Sequence, residues 1–241
     1  MHNDDRQTGR IMSRREALAL LGTAGAAMLA GRSSWSPAAE PVLSCVASPA
    51  QTEGPYFVDE RLNRSDIRSD PADGSMREGV PLALKLVIAS VAAGQCTPLA
   101  GAAVDLWHCD AAGVYSDASD PGFNTVGKKF LRGYQITDTA GSVRFTTVYP
   151  GWYEGRTVHI HFKVRGTTES KRGYEFTSQF YFDDAVTDRA FARNPYARRG
   201  RRSVRNGGDG IFRGGGSRMI LPLVENDAGY AGNFNVGLNL A

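Results

Sequence analysis

The chain has 241 residues, 41% hydrophobic and 22% charged, with a formal net charge of +3. Residues 1–39 carry five of the 28 basic and three of the 25 acidic residues, so the remainder balances at 23 against 22. A near-neutral body of this size can bury a substantial core and gives no reason to expect a nucleic-acid partner. In chain order, Ser13-Arg14-Arg15 precedes a short apolar run rich in small residues, Ala17–Ala30. A basic segment, a modest apolar run and a small-residue tail predict a signal peptide over residues 1–39 of twin-arginine type. The run is too short for a stable membrane anchor. The expected location is therefore exported, either periplasmic or extracellular. Cys45, Cys96 and Cys109 allow one disulfide and one free thiol in three pairings.

Residues 40–241 read as a single domain. Residues 48–79 are polar and rich in turn formers, an arm or loop. Pro81–Ser90 and Gly101–Cys109 are strands, the latter setting Val104, Leu106 and His108 against Asp105, Trp107 and Cys109. A turn at Asp110–Gly113 leads to Tyr115, and residues 116–128 read as a loop. Phe130–Ile136 and Ser142–Val148 are strands around a turn, and a His-x-His strand and Glu175–Phe182 follow. Asp183–Arg193 is the one expected helix, ended by Asn194-Pro195. Arg198–Gly216, Arg- and Gly-rich, reads as a flexible, solvated loop, with late strands at Arg218–Val224 and Tyr230–Leu240. Strands at this spacing predict an all-β fold, a β-sandwich core with long loops and one short helix.

The chemistry concentrates between Val148 and Phe162. His159 and His161 alternate with Val158, Ile160 and Phe162, so one strand face carries both imidazoles, about 7 Å apart and able to reach one metal. Tyr153 follows the Pro150-Gly151 turn into that strand. A phenolate beside two imidazoles points to iron(III), which hard anionic oxygen ligands stabilise. A zinc triad of His108, His159 and His161, serving a hydrolase or lyase, is the competing reading.

Five blocks in order are similar to the intradiol ring-cleavage dioxygenases, the group of catechol and protocatechuate dioxygenases. They are Thr52-x-Gly54-Pro55-Tyr56, Val104 to Tyr115, Pro150-Gly-Trp-Tyr153, Arg156-x-x-His159-x-His161 and Thr177-Ser-Gln179. The resemblance implies a non-haem Fe(3+) centre with Tyr115, Tyr153, His159 and His161 as ligands. It also implies catalytic roles for Tyr153 as a departing ligand and base, Arg156 as a stabiliser of substrate charge, and Gln179 as a substrate-positioning group. The implied reaction is dioxygen cleavage of a small aromatic diol between its hydroxyls, giving a cis,cis-muconate-type dicarboxylic acid. Gly101–Trp107 and Thr137–Gly151 also look like transthyretin-type binding modules, a non-catalytic alternative. The arm before the first strand is shorter than the helical domain through which catechol and hydroxyquinol members dimerise, which leaves a homo-oligomer open. Substituent choice is expected to rest on the loop Asp117–Gly127 and the Arg-rich loop.

Overall fold

The computed structural model describes residues 46–168 and 171–240. The chain divides into two units, Met1–Ala38 and Ala39–Ala241, and every described residue belongs to the second. The expected signal peptide over residues 1–39 and Cys45 both lie outside the described residues.

Strands dominate: β1 (Pro81–Ala92), β2 (Gln95–Pro98), β3 (Ala103–Trp107), β4 (Ser119–Asp120), β5 (Phe123–Asn124) and β6 (Arg132–Ile136). They continue with β7 (Ser142–Val148), β8 (His159–Thr167), β9 (Gly173–Tyr181), β10 (Leu223–Glu225) and β11 (Tyr230–Leu238). One helix of eight residues, α1 (Asp184–Phe191), starts where Asp183 accepts hydrogen bonds from the Ala185 and Val186 amides. One sheet joins β10, β11, β1 and β2, with β7 also paired to β1; the other runs β6-β3-β8-β9. All their pairings are antiparallel except that of β1 with β11.

Period-two patterning decides what each sheet buries. On β1, Leu82, Leu84, Leu86 and Ile88 are buried in alternation, and they share one apolar cluster with Val104, Leu106, Ile160, Phe162, Val164 and Phe180 of the other sheet. Each such side chain stabilises the fold by about 1.5–3 kcal/mol. The expected sandwich is the observed one. The odd positions of β3, β8 and β9, and the even positions of β6 that pair with them, lie on the opposite face from these core residues. The register of this second sheet sets Trp107 opposite His161, His161 opposite Gln179, and His159 opposite Tyr181, a row of polar and aromatic groups on the outer face.

Two segments cover that face. The arm starts beside β11, where the Ser48 amide donates to the Gly237 carbonyl, then bonds β9 through the Gln51 amide and the Thr177 carbonyl. It crosses β8, where Lys163 pairs with Glu53 and lies 4.1 Å over the Phe57 ring, and reaches β6, where the Tyr134 amide donates to the Leu62 carbonyl. The second cover is the Arg- and Gly-rich stretch, and here the expectation of a flexible, solvated loop is corrected. It contains 3-10 turns at Tyr196–Arg199 and Asn206–Gly208 and a helical turn at Gly210–Arg213. Arg202, with a side chain 4% exposed, is paired with Asp184 and Asp188, and Arg199 donates to the Trp152 carbonyl. The glycines serve tight turns whose ends are pinned by charge. The expected strand Arg218–Val224 is likewise corrected: Gly216–Met219 is a 3-10 turn, Ile220 makes a single bridge to Tyr181, and the regular ladder is confined to Leu223–Glu225, after Pro222, which lacks a ladder donor.

His108 bridges the sheets. Its Nδ1 lies 2.8 Å from the Cys109 carbonyl and its Nε2 2.7 Å from Thr147 Oγ1 on β7. Burial pushes it down from 6.5 to about 4. The unfolded chain therefore takes up a proton near pH 6.5 that the folded chain refuses until about 4, so stability is lost as pH falls through that window. The loss is bounded at about 3 kcal/mol. Thermal midpoints of the metal-free protein should fall more steeply between pH 6.5 and 4 than those of His108→Gln. Equal slopes would remove His108 from the acid transition.

Candidate metal centre

β8 delivers the two imidazoles. His159 and His161 are buried, with their Nε2 atoms 3.0 Å apart. His159 Nδ1 donates to the Thr157 carbonyl at 2.7 Å, which fixes its tautomer and leaves the Nε2 lone pair pointing into the cluster. A backbone carbonyl on the far nitrogen is the usual orienting partner of a metal-bound histidine. His161 stacks on Trp107 at 5.0 Å between ring centres, and its buried Nδ1 has no partner among the described residues. Burial holds His159 down at about 3 and His161 well below its ordinary value, so both rings are neutral donors.

Two turns deliver the phenols. Asp110 caps the turn before Tyr115 by accepting from the Ala112 and Val114 amides, and Pro150-Gly151 precedes Tyr153. The turns pack back to back: the Gly151 amide donates to the Asp110 carbonyl at 3.1 Å. A Cβ at residue 151 would sit 2.5 Å from that oxygen, so only glycine fits. This places Tyr115 Oη 3.5 Å and Tyr153 Oη 3.2 Å from His159 Nε2. Burial raises both phenols well above their ordinary range, Tyr115 further through its neighbour Tyr153.

All four sequence-predicted donors thus converge on one point. Ligands about 2.1 Å from a metal and about 90–120° apart are separated by about 3.0–3.6 Å, the range seen here. The chemistry fits as well as the spacing. Two protonated phenols and two neutral imidazoles make an uncharged pocket, and two phenolates with a hydroxide neutralise a trivalent ion. The cation itself supplies the attraction that overcomes the raised phenol values.

Arg156 and Gln179 lie beside the cluster. Arg156 Nη1 is 3.5 Å from His159 Nε2, and its Nη2 donates to Gln179 Oε1 at 2.6 Å. Gln179 Nε2 donates to the Thr52 carbonyl of the arm, and Tyr181 Oη sits between Gln179 Oε1 and Gln51 Oε1. Arg156 is also the ion-pair partner of buried Asp209 at 2.8 Å, so it is no free surface charge.

Several residues at the centre escaped the sequence reading. Tyr56 stacks on Tyr115 at 4.4 Å and donates to Asp120 at 2.8 Å. Buried Arg132 binds the Ser116 and Tyr56 carbonyls, holding arm and Tyr115 turn together. Gly54 packs against the His161 ring, and Thr157 and Asp209 orient the polar groups. Gly54 and Tyr56 stand in the Thr52-x-Gly54-Pro55-Tyr56 block, whereas nothing beside Arg132 or Asp209 in the sequence points to the centre. The loop at residues 116–128 is a β4–β5 ribbon whose Asp120 meets Tyr56.

His108, which the zinc reading requires, has both nitrogens engaged between the sheets. Among the described residues no group of three His, Cys, Asp or Glu side chains is placed to hold a metal. Cys96 is disulfide-bonded and Cys109 is a buried free thiol.

The family model described as dioxygenase matches residues 52–199. A chlorocatechol 1,2-dioxygenase of Pseudomonas putida is 33% identical over 104 residues, 35% of this chain and 36% of that protein. The match therefore spans little more than a third of that relative's length. An intradiol ring-cleavage dioxygenase structure from Tetranychus urticae superposes with TM-score 0.70 and 30% identity, over 81% of this chain and 95% of that one. The dioxygenase domain of a carbohydrate-binding fusion protein from Streptomyces sp. SirexAA-E gives 0.58 and 28%, over 81% and 100%. The match of family blocks, of fold and of the residues gathered at one face makes this chain a member of the intradiol ring-cleavage dioxygenase family.

Proposed function

We propose that the chain cleaves a catechol-type diol with dioxygen between its two hydroxyls, at iron(III) held by Tyr115, Tyr153, His159 and His161, to a cis,cis-muconate-type dicarboxylic acid. The observation that carries this reading is the convergence of two phenols and the His161 imidazole within 3.0–3.5 Å of His159 Nε2. When bound, iron(III) supplies Lewis acidity toward the deprotonated diol and the electronic route to dioxygen.

The chain's own groups do the rest. Tyr115 is 1% exposed beneath Tyr56, whereas Tyr153 is only partly buried and is the phenol an incoming diol reaches. As phenolate, Tyr153 Oη is placed to accept a hydroxyl proton from the diol. The Arg156 guanidinium, fixed between Gln179 and Asp209, faces the donor cluster and stabilises negative charge on the substrate oxygens. Gln179, tied to the arm at Thr52, sets the wall against which the ring rests. Trp107, Phe57 and Tyr56 exclude water from the far side.

Oxygen uptake tests this. Purified protein loaded with iron(III) should consume one dioxygen per catechol and yield a diacid carrying both oxygen atoms. Turnover without oxygen uptake would overturn the assignment.

Export belongs to the same reading. It is supported by the basic and apolar pattern of residues 13–30 and by the disulfide at Cys96, since such bonds persist in oxidising compartments. A full-length mass for the protein recovered from the cytoplasm, with none outside it, would refute export.

A further inference from the structure

We propose that Asp209 is the positioning residue that aims Arg156 at the metal centre. This goes beyond the ligand set and rests on the reading of that set as an iron site.

The carboxylate is 1% exposed, and four donors converge on it. Its Oδ2 accepts from Arg156 Nε at 2.8 Å and from the Thr157 amide at 2.9 Å. Its Oδ1 accepts from the Ile211 and Phe212 amides at 2.7 and 3.0 Å, capping the helical turn that begins at Gly210. Neighbouring Asn206 accepts from Thr157 Oγ1 at 2.8 Å and donates to the Phe182 carbonyl, so residue 157 is pinned twice. The Thr157 carbonyl then receives His159 Nδ1.

The same segment closes a ring of hydrogen bonds. From Asp209 it runs through Arg156, Gln179 and Tyr181 to Gln51, whose Nε2 donates to the Ile211 carbonyl beside Asp209. Arg156 therefore has no free rotamer. Its Nε and Nη2 are both committed, and only Nη1 is left over the cluster. Asp209 is the one charged member opposite the guanidinium. An amide in its place turns two donors toward donors whichever way it flips, because every bond the Asp209 carboxylate makes is one it accepts.

The test compares Asp209→Asn, Asp209→Glu, Arg156→Met and the double variant Asp209→Asn/Arg156→Met as iron-loaded proteins. Asp209→Asn should keep its iron and its visible band while catechol affinity under nitrogen and kcat each fall about 10–100-fold, the usual penalty for losing an orienting partner. Asp209→Glu should recover part of both, and it carries the test if the Asn variant fails to fold. The double variant should bind catechol no more weakly than Arg156→Met alone, because the aspartate acts through the arginine. Arg205→Ala, which cuts only an exposed pair with Asp188, should leave both readouts unchanged. Additive losses in the double variant, or an Asp209→Asn protein with unchanged affinity and kcat, would overturn the proposal. A colourless iron-loaded wild type would instead sink the iron site itself.

Discussion

Tyr153→Phe should lower kcat by about 10²–10⁴-fold, the contribution expected of a positioned general base, and should weaken the visible band of the iron-loaded protein. Its hydroxyl is 3.2 Å from His159 Nε2 and belongs to the phenol nearer solvent, so its loss removes one anionic donor and the proton acceptor together. Tyr115→Phe separates those roles. Tyr115 is buried under Tyr56 and unreachable by substrate, so its loss should show chiefly as lost iron, measured as metal retained after dialysis. Phenylalanine preserves the stacking surface in both cases, and thermal midpoints of the metal-free variants should stay close to the wild type. Coloured, fully active variants at both positions would contradict the ligand set and leave the histidines alone to be explained.

Gly54→Val should be the most damaging change outside the donor set. Gly54 sits at φ +73°, a left-handed conformation that costs a side-chain-bearing residue about 1–2 kcal/mol. A Cβ there would also lie 3.2 Å from His161 Cε1, so the strain is directed at a ligand ring that Trp107 already backs. Either the arm lifts, breaking the Gln179–Thr52 and Lys163–Glu53 ties, or His161 moves. A ligand displaced by about 1 Å costs about 100-fold in rate. Iron content, kcat and protease susceptibility near residue 54 distinguish the two outcomes. Wild-type values for all three would show that the arm does not seat His161.

Which parts were legible follows from how far apart in sequence their causes lie. β8 was readable because Val158, Ile160 and Phe162 alternate with the histidines within five residues, and burial of one set forces the other outward. The Tyr115 and Tyr153 turns were marked by Asp110, Gly113 and Pro150-Gly151. What the turns meet was not readable locally, because Gly151 touches Asp110 across 41 positions of chain. Short ladders such as β2, β4 and β5 are too brief to show a period. The largest error, the Arg198–Gly216 stretch, came from reading glycine and arginine as mobility and solvation. Asp209 reaches Arg156 and Thr157 from more than fifty residues away, and nothing near it announces the partner. Its position before Gly210 marks a helix cap, which it is, but not the second duty of its other oxygen. His108, whose place in the sequence reads first as a residue packed between strands and only in the zinc alternative as a ligand, is part of the joint between the sheets, held by Thr147 and Cys109.

The most direct measurement is the visible absorption spectrum of the iron(III)-loaded protein, before and after catechol is added under nitrogen. Two tyrosinates on iron(III) predict a broad red-brown charge-transfer band, moving to longer wavelength when the diol binds. A protein that holds iron yet stays colourless, or whose band ignores catechol, would contradict a centre built from Tyr115, Tyr153, His159 and His161.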